Sequence, residues 1–175
     1  MDAPVFCFLG DMMQSEDRYD SLFQFYGAQN GVDWKLLKAQ VRAESGFDPD
    51  ARSKCGAVGL AQFMARTWEE WRDGTPGVQG AEGSKQKAEG SQQLPNLVNL
   101  DPRDPEDAIR AQAAYMAWLL RRFGDNLDMA LAAYNWGAGN LAKAIRQVGP
   151  LFMTLAPKET RDYTTRITRF RQELA

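Results

Sequence analysis

Apolar residues recur at helical spacing along most of this chain, and that period leaves little room for a sheet. Residues 17–29 place Tyr19, Leu22, Phe23 and Tyr26 on one stripe, and Gly31 follows as a stop. Asp33 caps a second helix that runs to about Ser45, where the FDPD turn breaks it. Residues 57–64, AVGLAQFM, suit a short helix or a turn, and Thr67 with Glu70 has the pattern of a capping box ahead of Trp68 and Trp71. Asp104-Pro105 starts a long helix whose Ile109, Met116, Leu119, Leu120 and Phe123 form a stripe ended by Gly124. Residues 128–136 are apolar on nearly all sides, which predicts a central helix. A shorter helix is expected over 140–146, stopped by Gly149-Pro150. The last runs over 159–173 with Tyr163, Ile167 and Phe170 on one face. The fold class is all-α or nearly so.

At 175 residues and 44% hydrophobic, the chain suits a single domain, 1–175, with a core of its own. Residues 73–94 are rich in Gly, Ser, Gln and Lys, with Val78 and Leu94 as the large aliphatics. They predict a flexible surface excursion rather than an interdomain linker. The apolar run in MDAPVFCFLG follows Asp2 and lacks a basic lead, so no secretory signal is visible. No stretch approaches the roughly 20 apolar residues of a membrane span, so no membrane insertion is expected. A net charge of -2 argues against a nucleic-acid binder. Arg161, Arg166, Arg169 and Arg171 on the last helix read as a solvated face, or as attraction to an anionic wall.

The chain contains no histidine, which removes Ser/His and Cys/His nucleophile pairs and His-based zinc sites. Cys7 and Cys55 are too few for a disulfide framework and read as free thiols. Chemistry falls to carboxylates, hydroxyls and amides. Glu44 continues the stripe of Leu37 and Val41, so its carboxylate faces inward. It also lies in the last helical turn, at the negative end of the helix dipole. Burial and dipole both disfavour the ionised form and raise the pKa, which suits a general acid. From the helix alone, an ordinary solvent-facing glutamate fits equally well.

The residues around Glu44 read ESGFDPDARSKCGAVGLAQFM over 44–64. Glu44-Ser45, Asp48-Pro49, Ala51, Ser53, and then Gly56, Ala57, Gly59, Leu60, Gln62 and Met64 fall in the order of a known motif series. Later blocks are Asn99-Leu100-Asp101-Pro102, Ala133-Tyr134-Asn135-Trp136-Gly137, and Glu159-Thr160 with Tyr163. In these blocks the chain resembles the lytic transglycosylase and goose-type lysozyme-like (SLT) family, over roughly residues 20–170. Ala61 and Ala65 stand where that family often has Met and Pro, and the 73–94 segment is longer than usual.

The resemblance implies a lysozyme-like helical domain with a sugar-binding cleft, acting on peptidoglycan glycan strands without metal or cofactor. It implies that Glu44 protonates the bond between N-acetylmuramic acid and N-acetylglucosamine and then serves as base, leaving 1,6-anhydromuramic ends. Ser53 and Tyr163 are implied near the carboxylate, and Ser45, Gln62, Met64, Tyr134 and Asn135 along the substrate. Each has a structural reading beside it: Tyr134 and Met64 as core, Ser45 and Ser53 as turn caps, Gly56 and Gly59 as backbone shape. Asp48, Asp50, Glu69, Glu70 and Asp73 are the candidates for a second carboxylate, which a hydrolytic muramidase of the same fold needs. A non-catalytic wall-binding module is the remaining alternative, and the joint presence of Glu44, Gln62 and Tyr163 argues against it. Without a visible signal, delivery as a phage lysin or in a phage virion is expected, with action on the bacterial wall.

Overall fold

The computed structural model describes residues 16–72 and 100–174. Among these the elements are α1 (Asp20–Asn30), α2 (Trp34–Glu44), α3 (Ala65–Arg72), α4 (Pro105–Arg122), α5 (Leu127–Trp136), α6 (Ala138–Val148), a 3-10 helix (Gly149–Thr154) and α7 (Lys158–Glu173). Extended pairing among the described residues is limited to two isolated antiparallel bridges, Arg52 with Val58 and Val58 with Phe63. The all-α expectation holds, and the 57–64 segment is a turn rather than a short helix. Residues 73–94 and Cys7 lie outside the described residues.

Local chemistry sets most helix ends. The Asp33 carboxylate accepts the Lys35 N–H at 3.0 Å to open α2. Asp104 accepts from Asp107 N–H at 3.0 Å, with Pro105 next to it, to open α4. Asn126 accepts from Met129 N–H at 2.9 Å to open α5. The Thr67 cap is corrected: α3 begins at Ala65, so Thr67 lies inside its first turn. The Met64 carbonyl accepts the Trp68 N–H at 2.9 Å. The side chains of Glu70 and Trp71 are outside the description. Helix α6 starts two residues earlier than the apolar spacing indicates, directly after Gly137 at φ 93°.

Helix α5 occupies the centre. Its Ala130, Leu131, Ala132 and Ala133 are fully buried, and it packs against α4, α6 and α7. Helix α4 brings Ala108, Ala111, Ala113, Ala114 and Ala117 inward, small residues that let its neighbours approach closely. Helix α1 packs on α2 and α4 through Phe23 and Tyr26, and α2 lies along α7. The turn at 58–63 is pinned to the start of α4 by Gly59. Its φ is +74°, and a Cβ there would stand 1.9 Å from the Pro102 carbonyl oxygen. A side chain is excluded at that position on both conformational and steric grounds.

Candidate active site

Three helices meet at Glu44: the C-terminal end of α2 and the inward faces of α5 and α7, which bring Tyr134 and Tyr163. Glu44 is the last residue of α2, and Ser45 follows as its C-cap. The side chain is half-buried. Burial pushes its carboxyl up to about 7, partly opposed by the Tyr163 hydrogen bond and the Arg166 charge and assisted by Glu159. Tyr163 on α7 is 1% exposed and donates its hydroxyl to Glu44 Oε1 at 2.7 Å. That phenol is held well above its ordinary value by burial first and by the Glu44 charge second, so it serves as a neutral donor.

The Tyr163 hydroxyl also accepts a bond from Gln40 Nε2 at 3.2 Å. Gln112 Nε2 donates in turn to Gln40 Oε1 at 3.2 Å and to the Leu37 carbonyl at 3.1 Å. Both glutamines are fully buried. Sequence reasoning passed over this pair. The available signal was a polar residue within each apolar stripe: Gln40 one turn before Glu44, and Gln112 between Ile109 and Met116.

The other expected site residues divide by what their polar atoms already do. Tyr134 on α5 donates its hydroxyl to the Ala61 carbonyl at 3.0 Å, and its ring lies 5.2 Å from Tyr115 and 6.1 Å from Phe63. It couples the 58–63 turn to the central helix, and its phenol is raised by burial and by Glu44. Asn135 Oδ1 accepts from the buried Thr160 hydroxyl at 2.7 Å, which fixes the amide plane. Gln62 spends its Nε2 donors on the loop itself, to the Ala51 and Gly59 carbonyls at 3.1 and 2.9 Å. It does so from a left-handed backbone at φ +48°. Both donors of that amide are thereby used within the loop. Met64 is exposed at 41% beside this turn.

Ser45 turns back on its helix: its N–H and hydroxyl both donate to the Val41 carbonyl, at 3.0 and 3.3 Å. The Ser53 hydroxyl oxygen accepts from Ala57 N–H at 2.9 Å and shapes the 53–57 turn. Ser53 makes no hydrogen bond to Glu44. Asp48 accepts from Asp50 N–H at 2.9 Å, so it also works as a turn former, and Asp48, Asp50 and Glu69 are exposed. Cys55 is exposed in the same loop. Among the described residues no group of His, Cys, Asp or Glu is placed to hold a metal, and no helix is long and apolar enough to cross a membrane. An open cavity of about 450 Å³ lies along another stripe of α7, lined by Thr164, Thr165, Thr168 and Arg169 with Asp128 and Met153. None of the groups that meet at Glu44 lines it, and its threonine hydroxyls bond back to their own helix.

The chain and its fold have counterparts among known proteins. A family model described as the transglycosylase SLT domain matches residues 21–151. Over 124 residues the chain is 36% identical to the peptidoglycan transglycosylase gp16 of Escherichia phage T7, which covers 70% of this chain and 8% of that protein. It is 32% identical over 133 residues to the membrane-bound lytic murein transglycosylase F of Desulfosudis oleivorans, covering 73% of this chain and 24% of the relative. Among solved structures, an inactive Glu-to-Gln mutant of the lytic transglycosylase Slt from Pseudomonas aeruginosa superposes with a TM-score of 0.67 at 25% identity. That match covers 90% of this chain and 24% of the other. The 70 kDa soluble lytic transglycosylase of Escherichia coli has the same fold, with a TM-score of 0.66 at 24% identity over 87% of this chain and 23% of that one. The chain thus spans a quarter or less of the length of each of these proteins.

Proposed function

The chain belongs to the transglycosylase SLT domain family, and from that membership we propose that it is a peptidoglycan lytic transglycosylase with Glu44 as its one acid/base. The observation that carries this reading is the state of Glu44. It is a carboxyl at the end of a helix, held near 7 by burial and bonded by a neutral tyrosine. Such a group is protonated often enough near neutral pH to donate, and ionised often enough to accept a proton back. The names of the phage T7 and murein transglycosylase relatives support the reaction class. The Pseudomonas aeruginosa mutant supports the residue type, since it is inactive and replaces Glu by Gln.

In the proposed reaction Glu44 gives its proton to the oxygen linking N-acetylmuramic acid to N-acetylglucosamine, and the glycosidic bond breaks. The N-acetyl group of the substrate stabilises the positive charge at the anomeric carbon. Glu44, now ionised, takes the proton of the muramic C6 hydroxyl, whose oxygen closes on that carbon to give the 1,6-anhydro ring. One proton leaves Glu44 and one returns, and no water is consumed. Asn135, held by Thr160, presents its amide N–H donors to the sugar, while Gln62 Oε1 accepts. Tyr134 and Met64 supply apolar surface, and Ser45 and Ser53 shape the loop that borders the cleft. Residues 1–175 form one catalytic domain. Its origin in a phage particle or lysis system is supported by the phage T7 relative.

Mass spectrometry of fragments released from purified peptidoglycan tests the reading. Anhydromuramic ends, lighter by one water than reducing ends, are expected. Glu44→Gln should lower the release rate about 10²–10⁴-fold with helicity retained by circular dichroism. Reducing ends would make water the acceptor and the protein a hydrolytic muramidase. An unchanged rate in Glu44→Gln would remove Glu44 from the chemistry.

A further inference from the structure

The two buried glutamines form a chain with one direction. It starts at the Leu37 carbonyl, which can only accept. Gln112 must therefore turn Nε2 toward it, and the same Nε2 meets Gln40 Oε1. Gln40 is left with Nε2 facing the Tyr163 hydroxyl, which must accept there and so sends its own proton to Glu44 Oε1. Flipping either glutamine amide sets two acceptors or two donors against each other. The arrangement is held at a cost: Gln112 Oε1 is buried with no hydrogen-bond partner among the described residues. A core built for packing alone would have an apolar residue at 112.

We propose that Gln40 and Gln112 are positioning residues that hold Tyr163 as a one-way donor to Glu44 Oε1, so that the proton Glu44 transfers rides on Oε2. This rests on the reading of Glu44 as the acid/base. If the proton sat on Oε1, Glu44 would donate to the Tyr163 oxygen. The phenol oxygen would then face two donors, Gln40 Nε2 and Glu44, and its own proton would lose its acceptor. The chain disfavours that state by the cost of an unpaired phenol proton and favours Oε2 as the oxygen that gives and regains a proton. Two further charges act on Glu44 from α7, Arg166 and Glu159, and Tyr134 lies near it on α5. None of the three belongs to the chain.

Gln40→Met removes the donor to Tyr163 at nearly constant volume. The test titrates Glu44 by carbon NMR in the full chain labelled at glutamate, for wild type, Gln40→Met, Tyr163→Phe and the double variant. A weakened bond to the ionised carboxylate should raise the Glu44 midpoint in Gln40→Met by about 0.5–1 pH unit. Tyr163→Phe should raise it at least as far. The double variant should go no further than Tyr163→Phe, because Gln40 acts only through that hydroxyl. On peptidoglycan, kcat should fall about threefold to tenfold in Gln40→Met with KM unchanged. A folded Gln40→Met with an unmoved midpoint, or shifts that add in the double variant, would overturn the proposal. If Gln40→Met does not fold by circular dichroism, Gln112→Met breaks the chain one link earlier and carries the same expectations. A wild-type protein that releases no fragments would sink the assigned activity, while the titration would still decide the chain.

Discussion

In the proposed mechanism, one proton on Glu44 couples activity to stability. Its carboxyl is raised from 4.5 to about 7 in the folded protein, mainly by burial. Between those pH values the folded state keeps a proton that the unfolded chain releases, so stability declines as pH rises through the window. The contribution is fully present below pH 4.5 and lost above pH 7. It is on the order of 1–3 kcal/mol once the partial exposure of the side chain is allowed for. Glu44→Gln removes this titration. The variant should therefore be more stable than wild type above pH 7, with the gap closing toward pH 4.5. Urea unfolding at a series of pH values measures it, and a pH-independent gap would show that Glu44 ionises at its ordinary value. Loss of activity with gain of stability is expected where an active site holds a carboxyl against its solvation preference.

Individual elements are fixed by short-range chemistry to different degrees. Asp104 opens α4 with both a side-chain bond to Asp107 N–H and a following proline, so its removal leaves an N–H of the first turn unpaired. Asp104→Ala should cost about 1 kcal/mol. That is seen as a fall of about 2–4 °C in thermal midpoint for a chain of this size. Thr67→Ala should be close to neutral, because Thr67 lies within α3 and does not cap it. An equal loss in both variants would restore the capping role for Thr67. The contrast has a physical origin. A capping pattern needs its first residue in a non-helical backbone, and the Val58–Phe63 turn delivers the chain already helical at Ala65. The 53–63 loop is held instead by side chains folded onto it: Ser53 to Ala57, Gln62 to Ala51 and Gly59, and Tyr134 to Ala61.

On the scale of the molecule, one buried cluster runs from Tyr19 to Ile167 and includes residues on both sides of the 73–99 segment. Leu37 before it and Ile109, Met116 and Leu131 after it are all fully buried. Helices α1 and α2 contact α4 directly. Neither half keeps its apolar faces covered without the other. A single cooperative thermal transition is expected, with calorimetric and van't Hoff enthalpies equal. Two resolved transitions would divide the chain into units that the shared core does not anticipate. The proposed active site depends on the same closure, since Glu44 comes from α2 and its partner Tyr163 from α7, 119 positions away in sequence.

The helices, their order and their inward faces were legible in the sequence, because a 3.6-residue period and local caps are short-range properties. Asp33, Asp104, Gly31 and Gly124 mark ends that the structure keeps. Glu44 was legible as an inward-facing carboxyl for the same reason, and the blocks around it pointed to its family. What each of the expected polar residues bonds to in the fold was decided in three dimensions. Ser45 bonds back to its own helix, and Ser53 and Gln62 donate or accept within their loop, because a tight loop must first satisfy its own backbone. Gln40 and Gln112 look like interruptions of apolar stripes. They acquire meaning when α2, α4 and α7 pack and the line from the Leu37 carbonyl to Glu44 is complete. Periodicity specifies which face of a helix turns inward. Only the packed core specifies what that face meets, and hydrogen-bond direction depends on every partner at once.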